Sequence, residues 1–186
     1  GFLVGLKDGV PVTCISVVRY GADFGFLGFY IATPAARGQG LGYQIWQAGM
    51  AHLKGRNVGL DGVPAQQANY RKSGFSLAWR NVRFGGVPKV AHATAPGLDL
   101  IDARNLPFTV VAQYDRRFFP ALRDGFLANW IAQSGHRALV AIRDGEIVGL
   151  GVIRPCREGH KIGPLYADSR GTAEGLFNTL CAAPPA

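Results

Sequence analysis

The sequence predicts an α+β fold, a mixed and mostly antiparallel sheet with flanking helices, present as two partial tandem units. Three observations carry this expectation. Apolar segments with strand-like alternation are interleaved with segments of helical spacing. The run from Leu3 to Val12 recurs without a gap from Leu139 to Val148. Residues 30–43 read as a buried strand, a glycine-rich turn and a helix start in immediate succession.

Taken in order, residues 2–6 and 11–18 form a hairpin around an Asp8-Gly9 turn, a pair that accepts left-handed backbone at low cost. Residues 25–32 are apolar on both faces, as a central strand should be. Leu41, Ile45, Ala48 and His52 then recur at helical spacing, so a helix should run from Leu41 to about Leu53. A second strand-like run covers residues 57–63, and a polar segment, residues 66–75, follows it.

Between strand and helix, Arg37, Gly40 and Gly42 fit the pattern R-x-x-G-x-G. Glycines there let the main chain come close enough for several N–H groups to point at one anion, and the helix adds the positive end of its dipole. The bland reading is an ordinary strand-to-helix turn. Other phosphate motifs fit poorly. A Walker-type loop would end in G-K-[ST], which is absent, and no acidic residue stands at a strand end about 20 residues on to hold a ribose, as a dinucleotide fold requires.

Downstream, Asn69, Tyr70, Lys72, Gly74 and Phe75 form N-Y-x-K-x-G-F. That pair of motifs, in that order, resembles the acetyl-CoA site of the GNAT superfamily of N-acetyltransferases, over Phe2 to about Phe84. The resemblance implies an acyl-CoA N-acyltransferase fold, with acetyl-CoA as cosubstrate and transfer to a primary amine by direct attack. Main-chain groups of Ile31, Ala32 and Thr33 would pair with the pantetheine arm, and Arg37, Gly38, Gln39, Gly40, Leu41 and Gly42 would hold the pyrophosphate. Asn69 would sit near the thioester end. Lys72 would favour the 3′-phosphate, and Tyr70 would protonate the departing thiolate. A thiolate of pKa about 8.5 needs only a weak acid, and a phenol of pKa about 10 keeps its proton at neutral pH.

Each role has a plainer counterpart. Tyr70 could be half-buried packing, Asn69 a turn cap and Lys72 a solvated charge. Asp61 is the carboxylate nearest in sequence to the cleft and a candidate base, although Asp-Gly pairs usually mark turns. At the level of function, the alternatives are a non-catalytic acyl-CoA binding module and a structural or interaction domain.

The repeat extends the same reading to the second half. Arg143 replaces Lys7 before an identical Asp-Gly turn. Residues 108–113 are expected as the first strand of this unit, residues 118–123 and 125–133 as helices, and residues 161–168 as its fourth strand. At the position of the phosphate turn stands Arg170-Gly-Thr-Ala-Glu-Gly175. There Ala173 adds a Cβ, and Glu174 puts a carboxylate in the first helical turn, where it competes for the dipole an anion would use. The arrangement is similar to a bacterial tandem-GNAT type whose second half is a divergent acetyltransferase-like domain. The expected domains are residues 1–88, without the strand and helices that open a complete member, a linker at 89–106, and a second, C-terminally incomplete unit at 107–186.

Composition sets outer bounds. The net charge of +8 is uneven: residues 1–95 hold ten Lys/Arg against three Asp/Glu, and residues 96–186 hold ten against nine. Steering of a polyanionic cosubstrate explains that bias; nucleic acid explains it less well, because the aromatics lie in apolar runs rather than among basic clusters. The three cysteines, Cys14, Cys156 and Cys181, make no even disulfide framework and no metal spacing, which points to a reducing cytoplasm. No apolar run reaches the roughly 18 residues of a membrane span. Exposed sheet edges would favour a homodimer.

Overall fold

The structure, a computed structural model, describes residues 1–90 and 96–185. It divides into two compact units, Gly1–Phe84 and Gly85–Ala186.

The first unit contains β1 (Phe2–Lys7), β2 (Val10–Tyr20), β3 (Phe24–Ala32), α1 (Leu41–His52), β4 (Asn57–Leu60) and α2 (Gln67–Lys72). Its sheet has the order β1-β2-β3-β4, antiparallel except for the parallel β3/β4 pair. A parallel neighbour requires a crossover, and α1 supplies it. The β1–β2 turn places Asp8 at φ 51° and Gly9 at φ 79°, the doubly left-handed form that matches strand twist. One sheet face carries Ile15, Val17 and Leu27, which form a core with Ile45, Trp46 and Leu53. Gly49 lets α1 lie close: a Cβ there would stand 3.0 Å from Val17 and 3.1 Å from Ile15.

The second unit contains β5 (Asp99–Asp102), α3 (Phe108–Asp115), α4 (Asp124–Ala132), β6 (Arg137–Arg143), β7 (Glu146–Pro155), β8 (His160–Ala167) and α5 (Arg170–Ala182). Its antiparallel sheet runs β5-β6-β7-β8. Both faces are covered. Ala138, Val140, Leu150 and Val152 pack with Val111, Tyr114, Leu127 and Ile131 of α3 and α4, while Leu139, Ala141 and Ile153 pack with Leu176 and Leu180 of α5.

The sequence repeat is a structural repeat. Asp144 and Gly145 adopt φ 52° and 80°, reproducing the first turn. The ladder skips Val12 opposite the Gly5–Leu6 step and skips Val148 opposite the Ala141–Ile142 step, the same place in the repeat. The matched faces differ in cover. Ala138 and Val140 are fully buried beneath α3 and α4, whereas their counterparts Phe2 and Val4 are 68% and 57% exposed.

Three expectations for the second half are corrected. Residues 108–113 are helix, not the first strand, because Val111, Ala112, Tyr114 and Asp115 bury one helical face that outweighs the β-branched composition. Residues 118–123 form no helix among the described residues, and Pro120 within them cannot donate to one. The opening strand is β5, inside the segment expected as linker, so only the stretch before it connects the units; residues 91–95 of that stretch lie outside the described residues.

Candidate functional site

The first unit has an opening in its sheet. β4 pairs with β3 only from Phe24 to Leu27, while β2 continues alongside β3 to Ala32. Among the described residues, no strand covers residues 28–32 on the β4 side. That edge leaves main-chain donors and acceptors available to an extended ligand.

Within the open edge lies a bulge that the sequence did not reveal. Cys14 pairs with Ile31 and Ser16 with Gly28, so β3 carries one residue more than β2 across this step. Phe29 takes φ 47°, a conformation that costs a non-glycine residue on the order of 1–3 kcal/mol. The Cys14 thiol donates to the Phe29 carbonyl at 3.4 Å. Bulges of this kind re-aim side chains beside functional sites.

Beyond β3, a short 3-10 turn (Pro34–Ala36) leads into the glycine segment. Gly38 and Gly40 lie at φ 75° and 77°, and a Cβ at either would meet nothing within 4 Å. Their requirement is therefore conformational. Gly42 is different, since its backbone is helical and an added Cβ would stand 3.3 Å from the Tyr30 hydroxyl. Gly40 is the N-cap of helix α1, with no side-chain cap and no acidic residue in the first turn. Its leading N–H groups are left for an anion.

Side chains brace this turn. Arg37 Nε donates to the Ala32 carbonyl at 3.2 Å. Gln39 donates to the Ala35 carbonyl at 2.7 Å and accepts from Lys7 Nζ at 2.8 Å, which brings an ammonium group to the turn from β1. Lys7 was not anticipated as part of this site, because the contact joins residues 32 apart in sequence. Thr33 has its N–H bonded to the Val12 carbonyl and its own carbonyl bonded to the Ala36 N–H, so the free main-chain edge ends before it.

Tyr70 stands on α2 with its ring against Trp46 (5.9 Å between centroids) and edge-on to Phe75 (6.5 Å). Trp46 also holds Tyr30, at 5.2 Å. Burial raises the pKa of Tyr70 above the ordinary phenol value, and Tyr30 is raised by burial first and by Tyr70 second. Neither hydroxyl has a hydrogen-bond partner among the described residues. Gly62 is required beneath Tyr70, where a Cβ would come 2.6 Å from the ring. Asn69 is exposed and bonds Gln66 at 2.7 Å, a local contact at the start of α2, and Lys72 is exposed at its end. Asp61, one residue past β4, accepts from Asn81 at 2.7 Å.

The matching place in the second unit is closed. Ser169 caps α5 by accepting from the Thr172 N–H at 3.2 Å, and Arg170 and Glu174 pair at 2.7 Å. Elsewhere in this unit, Arg123 makes a two-toothed contact with buried Asp115 at 2.6 and 2.8 Å and reaches the Tyr166 hydroxyl at 3.1 Å. Among the described residues no group of His, Cys, Asp and Glu could hold a metal ion, and no helix is long and apolar enough to cross a membrane.

Comparison with known proteins bears on both units. Residues 1–75 match the model of the acetyltransferase (GNAT) family, and residues 111–185 match that of an acetyltransferase (GNAT) domain. A holothin acyltransferase of Pseudoalteromonas sp. (strain SANK 73390) is 31% identical over 185 residues, covering 100% of this chain and 62% of that protein. The chain thus spans about three fifths of the length of this curated relative. In fold, a candidate acetyltransferase from Pyrococcus horikoshii superposes with a TM-score of 0.77 at 20% identity, over 96% of this chain and 59% of that one. A tandem GNAT protein from the clavulanic acid biosynthesis pathway superposes with a TM-score of 0.54 at 16% identity, over 96% of this chain and 68% of that one.

Proposed function

The chain belongs to the GNAT superfamily as a tandem of two units, and from that premise we propose that it is an N-acetyltransferase whose first unit takes acetyl-CoA and passes the acetyl group to a primary amine by direct attack. One observation carries this reading: the open edge of β3 runs straight into a turn whose glycines and uncapped helix start are ready for an anion. The residues present fit the cosubstrate. Amides from Gly38 to Gly42 hold the pyrophosphate, Arg37 and Lys7 supply positive charge beside it, and the main chain of Gly28 to Ala32 pairs with the pantetheine arm.

The thioester supplies the activated acyl group. Tyr70, held by Trp46 and Phe75 with its hydroxyl unengaged, donates a proton to the leaving sulfur; a phenol keeps its proton at neutral pH, and burial raises this pKa further. Positioning supplies most of the rest, since a neutral amine held against a thioester is already a competent nucleophile. Asn69 and Lys72 act at the rim of the site. The second unit, with its capped helix, carries no cosubstrate. A cytoplasmic setting fits the three free cysteines. The edge of β1, unpaired among the described residues and bearing exposed Phe2, Val4 and Leu6, favours association of two copies.

Calorimetry with acetyl-CoA tests the proposal. The chain should bind, and Gly40→Glu should abolish binding, because the new carboxylate enters the anion site and the side chain strains a left-handed residue. Equal binding by both proteins would refute the placement of the pyrophosphate.

A further inference from the structure

Tyr30 is the residue that the bulge displaces. In a regular ladder β3 would place Tyr30 opposite Cys14, on the face away from α1. The extra residue gives that place to Ile31 and turns Tyr30 over, since a slip of one residue exchanges the two faces of a strand. The backbone strain at Phe29 accompanies this turn.

Once turned, the Tyr30 ring is pinned against Trp46, itself 5% exposed, and its hydroxyl reaches the first turn of α1 beside Gly42. A Cβ on Gly42 would press on that oxygen at 3.3 Å, so the glycine makes room for the hydroxyl. The hydroxyl is otherwise unspent, with no hydrogen-bond partner among the described residues, and 38% of the residue remains exposed. A phenol O–H is a donor at neutral pH, and here it stands next to N–H groups that are themselves left without acceptors.

We infer that Tyr30 is a cosubstrate-binding residue, its hydroxyl donating to the diphosphate held at the first turn of α1. This rests on the proposed acyl-CoA site and adds a side-chain donor to its backbone amides. Hydrogen bonds to a charged oxygen are the stronger kind. Tyr30→Phe keeps the ring on Trp46 and removes only the donor.

The probes are ADP, which carries the diphosphate without the pantetheine arm, and acetyl-CoA, both titrated calorimetrically into the whole chain. Tyr30→Phe should weaken both by about tenfold to a hundredfold, with an unchanged melting temperature. Gly42→Ala should weaken ADP by displacing the hydroxyl, yet cost little more once Tyr30 is already Phe, since the two substitutions spoil one contact. Unaltered ADP affinity in Tyr30→Phe overturns the inference, and so does a loss confined to acetyl-CoA, which would place the hydroxyl on the arm instead. Should the unsubstituted chain bind neither probe, the acyl-CoA site itself fails and this inference falls with it.

Discussion

Tyr70 is where the chemistry of the proposed site can be separated from its binding. Tyr70→Phe keeps the ring contacts with Trp46 and Phe75 and removes the proton, so kcat should fall by roughly 100-fold or more while acetyl-CoA affinity is unchanged. Steady-state kinetics with calorimetry on the same samples checks this, and an unaltered kcat would return Tyr70 to a packing role. Burial sets the sign of the pH dependence. Folding raises the phenol pKa, so the acid keeps its proton up to the ordinary value of about 10 and loses it only beyond. The stability linked to the protonated phenols is likewise whole below about pH 10 and is lost as pH climbs through the raised values. An alkaline limb of kcat centred below 10 would point to another acid. Gly38 and Gly40 were legible as a turn from their spacing, but why Gly42 is glycine was not, because its neighbour Tyr30 is brought there by the bulge.

Among the elements, the repeated hairpin and the failed strand are instructive together. The hairpins were readable because Asp-Gly turns and alternating apolar residues are local signals, and the skipped Val12 and Val148 show the repeat holding down to single ladder positions. Residues 108–113 misled because Thr109, Val110 and Val111 favour strands locally, whereas their fate was settled by a helical face packed on β6 and β7. That packing surrounds one buried ion pair, in which Asp115 is 2% exposed and spends both oxygens on Arg123. Asp115→Ala strands the guanidinium, whose side chain is only 12% exposed, and should destabilise the second unit by about 3–5 kcal/mol. Chemical denaturation followed through Trp130, in α4, would read that loss, while ADP binding by the first unit should persist. A cost near zero would mean that the pair is dispensable.

For the molecule as a whole, the two units differ in how much of their sheet is covered. β6 and β7 are enclosed on both faces, but Phe2, Val4 and Leu6 on β1 are bare, and apolar strand edges pair readily with one another. Sedimentation at micromolar concentration should show self-association, reduced by Val4→Lys, and a monomer that the substitution leaves unchanged would count against edge pairing. The sequence by itself was enough for the two-unit α+β plan, the hairpins, the glycine turn with its helix, and the family, because each is written in residues close together along the chain. The open β3 edge, the flipped Tyr30, the approach of Lys7 and the order of elements around α3 arise from strand register and packing between distant segments. Such contacts are set by which faces can be buried together, a property of the folded arrangement that no local spacing contains.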